Sequence, residues 1–224
     1  DVMREEYKIP VFLNADHTKS VEAAKEAVDA GFDSVHIDLS ALSFEENVAG
    51  TKEIVSYAKS KNSDISVEGE LGYLKGESKI QKEKVAVNPE DYTKPEEAKK
   101  FVEETGVDRL AIVVGNIHGI SQDEPVLDIN RIKEIKSAIP GTTILVLHAG
   151  SGIPNEQIKD AIGEGIANVH INTDIRVAYA EELKKSFKEN PEEAAMYKLD
   201  QQAIESLKKV VIEKLKLFGS SERL

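Results

Sequence analysis

The 224 residues carry 41 Asp and Glu against 29 Lys and Arg, a formal charge of −12, and 40% of them are hydrophobic, enough for one sizeable core. No Lys/Arg cluster stands out, which excludes the electrostatic footprint of a nucleic-acid binder, and a phosphate ligand would have to be met by local backbone amides rather than a global positive field. The chain has no cysteine, so thiolate metal sites are excluded and a zinc site would need His and carboxylate ligands; no apolar run approaches a membrane span and nothing resembles a signal peptide, which makes a cytoplasmic protein the default expectation.

Short β-type runs alternate with longer amphipathic segments along the chain. Residues 1–7 read as the end of a helix, followed by a strand over 10–15 and a helix over 20–30 that Gly31 stops. A strand over 34–39, a helix over 46–61 and a strand over 66–71 come next. Residues 72–91 are long, polar and without periodicity, the mark of a functional loop. Pro95 suits the first turn of a helix over 94–105 that ends at Gly106, before a strand over 110–115. Then follow a helix over 129–137, a strand over 143–147, a helix over 154–163 with Pro154 in its first turn, and a strand over 168–172. The tail, 191–218, reads as a charged amphipathic helix or helix pair.

Val/Ile/Leu-rich strands alternating with helices over short connections point to an α/β fold with a parallel sheet. The expectation is a (β/α)8 TIM barrel occupying 1–224 as a single domain. Six strands are visible where a closed barrel needs eight, so the first two βα units are expected to be absent from this chain. A genuine six-strand open sheet is the alternative, and it would leave edges needing cover.

Three of the five histidines fall at the C-terminal ends of expected strands, the face on which barrel active sites are built: His17, His118 and His148. Imidazoles converging from three strands would make a zinc site with an open fourth position. His36 alternates inside a strand and reads as a lumen or core residue, whereas His170 reads equally as site or core. Asp16, Asp38 and Glu70 share the same rim and could supply a general acid/base and a second cation site. The turn from His148 to Pro154 offers free amides and a helix N-terminus to an anion.

These segments resemble the class II, metal-dependent fructose-1,6-bisphosphate aldolase family, which also contains tagatose-bisphosphate aldolases. The resemblance is carried by Asp16-His17, by Ile37-Asp38-Leu39-Ser40 with Phe44-Glu45-Glu46-Asn47, and by Glu68-Gly69-Glu70-Leu71-Gly72. It continues through Gly115-Asn116-Ile117-His118-Gly119, His148-Ala149-Gly150-Ser151-Gly152 and Asn172-Thr173-Asp174. It implies that His17, His118 and His148 bind a catalytic zinc ion, that Asp16 is the acid/base, and that Asp38 with Glu70 holds a second divalent cation. It further implies that Gly119, Ala149, Gly150 and Ser151 bind a phosphate close to a monovalent cation, and that His170, Asn172 and Thr173 face the three-carbon unit. Arg176 resembles an arginine used for the distal phosphate, and Glu77 is the nearest candidate for a loop proton-transfer glutamate, although the family's position falls on Ser78.

Two departures stand out. His170 occupies a position where the family commonly has Asn, and Ala149 replaces a glycine, which is tolerable only if that residue avoids positive φ. The implied activity is reversible aldol cleavage of fructose 1,6-bisphosphate to dihydroxyacetone phosphate and glyceraldehyde 3-phosphate. Tagatose 1,6-bisphosphate or another phosphorylated ketose is an alternative substrate, and a non-catalytic metal- or phosphate-binding barrel is the rival from another class. The family also implies a homodimer or homotetramer.

Overall fold

The computed structural model describes residues 2–81, 88–120 and 125–221. Its first half runs α1 (Val2–Tyr7), β1 (Asn14–Thr18), α2 (Val21–Asp29), β2 (Ser34–Ile37), α3 (Phe44–Lys61), β3 (Ser66–Leu71), β4 (Gly76–Ile80) and α4 (Pro95–Thr105). The second half continues with β5 (Arg109–Ile112), β6 (His118–Ile120), α5 (Ile129–Ala138), β7 (Ile144–Leu147), α6 (Asn155–Gly163), β8 (Ile166–Val169), α7 (Thr173–Glu189) and α8 (Met196–Leu217). Local chemistry sets many of these bounds. Ser20 caps α2 by accepting from the Ala23 N–H, Ser43 and Glu46 form a reciprocal capping box on α3, and Pro95 opens α4 while Gly106, at φ 72°, closes it.

Six strands form one sheet in the order β1-β2-β3-β5-β7-β8, every pairing parallel. The six follow one another in chain order, passing over only β4 and β6, with helices in the crossovers, which is the wall of a (β/α)8-type barrel. The short strands β4 and β6 pair with each other, also in parallel, as a separate ribbon beyond the rim.

Period-2 alternation divides the strand residues between two faces. Val35 and Ile37 of β2, Val67 and Leu71 of β3, and Leu145 and Leu147 of β7 join the core beneath the helices, together with the fully buried Phe101 of α4. A methyl group on Gly69 would stand 2.7 Å from the Phe101 ring, so Gly69 also faces α4. The intervening residues, His36, Glu68 and Glu70, must therefore point into the barrel lumen, and all three are buried.

Several elements differ from the sequence expectation. β1 starts at Asn14 rather than residue 10, because Val11, Phe12 and Leu13 stay exposed ahead of the sheet. β8 spans 166–169 rather than 168–172, which leaves His170 just past the strand. Helix α7 was missed altogether. Only Thr173 and Ser186 of it are buried, so it shows no deep apolar stripe; it is instead held against α8 by Tyr179 Oη donating to Asp200 Oδ1 at 2.9 Å and by a Lys214–Asp174 ion pair of 2.9 Å. No helix among the described residues is long and apolar enough to cross a membrane.

Candidate active site at the strand ends

Ten residues line one small cavity of about 50 Å³ at the C-terminal ends of the strands: Asp16, His17, His118, Gly119, His148, Ala149, Ser151, His170, Asn172 and Thr173. All ten are among the candidate site residues named from the sequence, His170 with a core reading beside it. His17 is the penultimate residue of β1 and His148 directly follows β7. His118 instead opens β6, six residues beyond the end of β5. Asn116 anchors that connection, its side-chain amide donating to the carbonyls of Ile112 and His148.

His17 and His148 face each other, with Nε2 of the first 3.1 Å from Nδ1 of the second. Each is fixed from its other side by a carboxylate. His17 Nδ1 lies 2.7 Å from Asp38 Oδ2, and His148 Nε2 lies 2.7 Å from Glu68 Oε1. The ionised carboxylates only accept, so the imidazole protons belong on those outer nitrogens and the two inner nitrogens present lone pairs to one another. Two bare lone pairs at this distance repel unless a cation lies between them. Two nitrogen ligands at ~2.0–2.1 Å on a tetrahedral ion stand about 3.3 Å apart, so the observed separation suits a shared divalent cation.

The charge states agree with that role. Burial, with a smaller contribution from the charges of His170 and His36, pushes the His148 pKa down to about 4 despite the opposing bond to Glu68. Burial raises the Glu68 pKa, but the hydrogen bond from His148 and the nearby positive charges outweigh it and bring the value down to about 2. Burial likewise opposes ionisation of Asp38, yet His17, Lys19 and Ser40 hold its carboxyl well below the usual range. His148 is thus a neutral imidazole bonded to a committed anion, Glu68.

His118 is the looser third member. Its ring centroid lies 5.1 Å from that of His17, the spacing of two rings around one ion, and burial lowers its pKa. Its nitrogens nevertheless belong to none of the clusters in which three or more donor atoms fall within 4.8 Å of one another. Those clusters are Asp16 with His17, His36 and His148; His17 with His36, Asp38 and Glu70; and Glu68 with His148 and His170. His36 is fully buried, as its core reading required, but it also borders the site, its ring 4.5 Å from His17 and 4.7 Å from His148. The His17 amide donates to His36 Nδ1 at 3.2 Å, and His36 Nε2 lies 3.3 Å from Glu70 Oε2.

Asp38 and Glu70 do not line the cavity. Asp38 divides its oxygens among His17, Lys19 and Ser40, the Lys19 ammonium making a direct ion pair. Glu70 Oε2 lies 3.7 Å from His17 Nδ1. Asp16 sits at the mouth, half exposed, with Oδ1 3.4 Å from His170 Nδ1 and 3.6 Å from His36 Nδ1. Its partial burial opposes ionisation, but the hydrogen bonds and charge of those imidazoles hold its carboxyl far below the ordinary value. The His170 ring packs 4.0 Å from His148 and lines the same cavity.

The helix start at the cavity is not the one expected. The helix whose start borders it is α7, through Asn172 and Thr173, and no residue of α6 lines it. Ser151 Oγ accepts from the amides of Asn172 and Asp174 at 3.3 and 3.2 Å, and Gly150 donates its amide to the His170 carbonyl, welding the glycine-rich turn to the α7 N-terminus. Ala149 does not avoid positive φ: it sits at 58°, and His17 at 52°. The left-handed form costs a non-glycine residue roughly 1–2 kcal/mol, so the turn holds strain that the expected glycine would lack. Arg176 lies one turn along α7 in a neighbouring groove with Lys79 and Lys184 that shares Thr173 with the cavity. Glu77 falls on β4, and its side chain lies outside the described residues.

Sequence reasoning gave Glu68 no role, and it overlooked Arg109, Lys19 and Ser40. The signal for Glu68 was present, since a residue two places from Glu70 on a strand shares its face.

The family model for fructose-bisphosphate aldolase class-II matches residues 1–223. A fructose-bisphosphate aldolase of Staphylococcus aureus (strain Mu50) is 41% identical over 217 residues, covering 96% of this chain and 72% of its own length. A 6-phospho-5-dehydro-2-deoxy-D-gluconate aldolase of Bacillus licheniformis is also 41% identical, over 215 residues, 95% of this chain and 70% of the relative. Among solved structures, the YdjI aldolase from Escherichia coli K12 superposes with a TM-score of 0.80 at 34% identity, covering 99% of this chain and 74% of that one.

Proposed function

Because the chain belongs to the class II fructose-bisphosphate aldolase family and is thereby a lyase, we propose that it catalyses reversible aldol cleavage of fructose 1,6-bisphosphate at a zinc ion held by His17, His118 and His148. The observation that carries this reading is the pair of imidazole lone pairs 3.1 Å apart, each locked from behind by a buried carboxylate. When bound, the cation supplies Lewis-acid stabilisation of the negative charge that develops on the ketose oxygens.

The chain's own residues supply the rest. Asp16, ionised at the cavity mouth, takes the proton from the hydroxyl whose carbon becomes the aldehyde, and returns it in the synthetic direction. Gly119 and the 149–151 turn receive the phosphate of the three-carbon half, with a monovalent cation nearby, and His170, Asn172 and Thr173 face that unit. Arg176 meets the distal phosphate, and Glu77 serves as the loop proton-transfer residue. A second divalent cation would be held by Asp38 and Glu70, where it competes with Lys19 for Asp38. Residues 1–224 act in this reading as one aldolase-type barrel domain, assembled as a homo-oligomer.

A second substrate reading has a specific observation behind it. The His170 imidazole lines the cavity where the resemblance calls for Asn, and a relative of equal identity carries the name of an aldolase for a different phosphorylated sugar. Tagatose 1,6-bisphosphate and other phosphorylated ketoses therefore belong in the same assay. The test is release of triose phosphate from a panel of ketose phosphates, with zinc, after chelation, and after zinc is returned. Cleavage abolished by chelator and restored by metal supports the proposal; no turnover of any ketose phosphate by the zinc-loaded protein overturns it.

A further inference from the structure

Behind His148 lies a second layer of charge to which the family resemblance assigns nothing. Glu68 is fully buried, and one of its oxygens takes the His148 Nε2 proton. The other oxygen has no hydrogen-bond partner among the described residues and lies 3.3 Å from Arg109 Nε. Arg109 opens β5 directly opposite Glu68 in the β3–β5 ladder. Its Nη2 donates to Asn14 Oδ1 on β1 and to Ser34 Oγ on β2, both at 3.0 Å. One guanidinium therefore ties four strands together and sets a fixed positive charge behind the carboxylate.

A buried carboxylate held only by an imidazole can rotate away from it. Rotation releases His148 Nε2, and the imidazole can then carry its proton on Nδ1, the nitrogen that faces His17. We propose that Arg109 is a positioning residue for the cation centre: it pins Glu68, and Glu68 keeps His148 in the form whose Nδ1 lone pair points at His17. This rests on the cation-site reading above.

The experiment uses the full chain and two readouts that need no turnover. Nitrogen-15 NMR of histidine-labelled, metal-free protein reports which nitrogen of His148 carries the proton, and chelator competition reports zinc affinity. In the wild type His148 is expected as the Nε2–H form. Arg109→Gln keeps polar links to Asn14 and Ser34 but removes the charge; it is expected to give a mixture of tautomers and about tenfold weaker zinc binding, as loss of an outer-shell partner typically does. Arg109→Lys should recover the Nε2–H form and most of the affinity. Should Arg109→Gln fail to fold, the Asn14→Ala, Ser34→Ala double variant, which frees the guanidinium without removing it, is expected to show the same mixture. A wild-type tautomer with zinc affinity within threefold in the folded variant overturns the proposal. A wild type that binds no zinc overturns the cation reading itself, and the tautomer readout tells the two failures apart.

Discussion

His17 Nε2 and His148 Nδ1 stand 3.1 Å apart although 131 residues separate them in the chain. Their outer nitrogens are committed to Asp38 and Glu68, so neither inner nitrogen has a proton to offer the other. Such a pair gains most from a shared cation. His148→Ala or His17→Ala is therefore expected to weaken zinc binding at least 100-fold, more than the 10–100-fold typical of outer-shell changes. Competition against a chromophoric chelator measures this, and a His148→Ala protein that holds zinc with unchanged affinity would show that the pair is not the metal site.

Asp16 occupies a different place in the same cavity. It touches His170 and His36 at 3.4 and 3.6 Å and leaves the facing nitrogens of His17 and His148 to each other. Asp16→Ala should then spare the metal, with zinc affinity within about threefold, and lower kcat by about 10²- to 10⁴-fold, the usual contribution of a positioned general acid/base. The two losses separate cleanly in one preparation by measuring bound metal and turnover together. Near-normal kcat in zinc-loaded Asp16→Ala would remove its assigned role.

Much of this site was legible because its residues mark strand ends, and strand ends share a rim in any parallel barrel. The order of hydrophobic runs and helix signals was enough to place His17 and His148, even with β1 starting four residues late. The carboxylates behind the imidazoles were harder to read. Strand alternation puts Glu68 on the face of Glu70, but its place behind His148 is a contact across 80 positions of sequence. Arg109 was invisible for the same reason, since its partners Asn14 and Ser34 lie on strands distant in sequence. Helix α7 escaped because α8 covers it only in part, so its residues carry no strong apolar period. The helix start beside the cavity was accordingly expected to be that of α6, which follows the turn in sequence, whereas α7 is the helix that borders it in space.

The φ of 58° at Ala149 makes a stability prediction that needs no substrate. Left-handed backbone costs alanine about 1–2 kcal/mol, while glycine in the unfolded chain has roughly 0.5–1 kcal/mol more conformational entropy to lose. Ala149→Gly should therefore stabilise the protein by a net ~0.5–1 kcal/mol. Gly152, at φ 78°, offers the converse test: an added methyl would meet Ile120 only at 3.4 Å, so Gly152→Ala should be destabilising by about 1–2 kcal/mol through the backbone alone. Urea midpoints at constant m decide both. A lower midpoint for Ala149→Gly would mean that the methyl contributes packing that outweighs its strain.

Stability of the metal-free protein should fall on acidification, and the sign follows from the buried pair. The His148 pKa is depressed to about 4 from its ordinary 6.5, chiefly by burial. Between those values the unfolded chain binds a proton that the folded one refuses, so stability drops as pH falls from 6.5 to 4. The Glu68 pKa is also depressed, to about 2 from 4.5, because the bond from His148 overcomes the effect of burial. Its contribution is complete above 4.5 and is lost as pH falls towards 2, extending the decline below the histidine window. His148→Gln removes the first of these slopes without adding a titratable group. Urea unfolding of metal-free wild type and His148→Gln at half-unit steps from pH 7 to 4 should therefore give a visibly flatter profile for the variant. Parallel profiles across that window would mean that His148 titrates in the fold as it does in the unfolded chain, and that its ring is not kept from the proton as its burial requires.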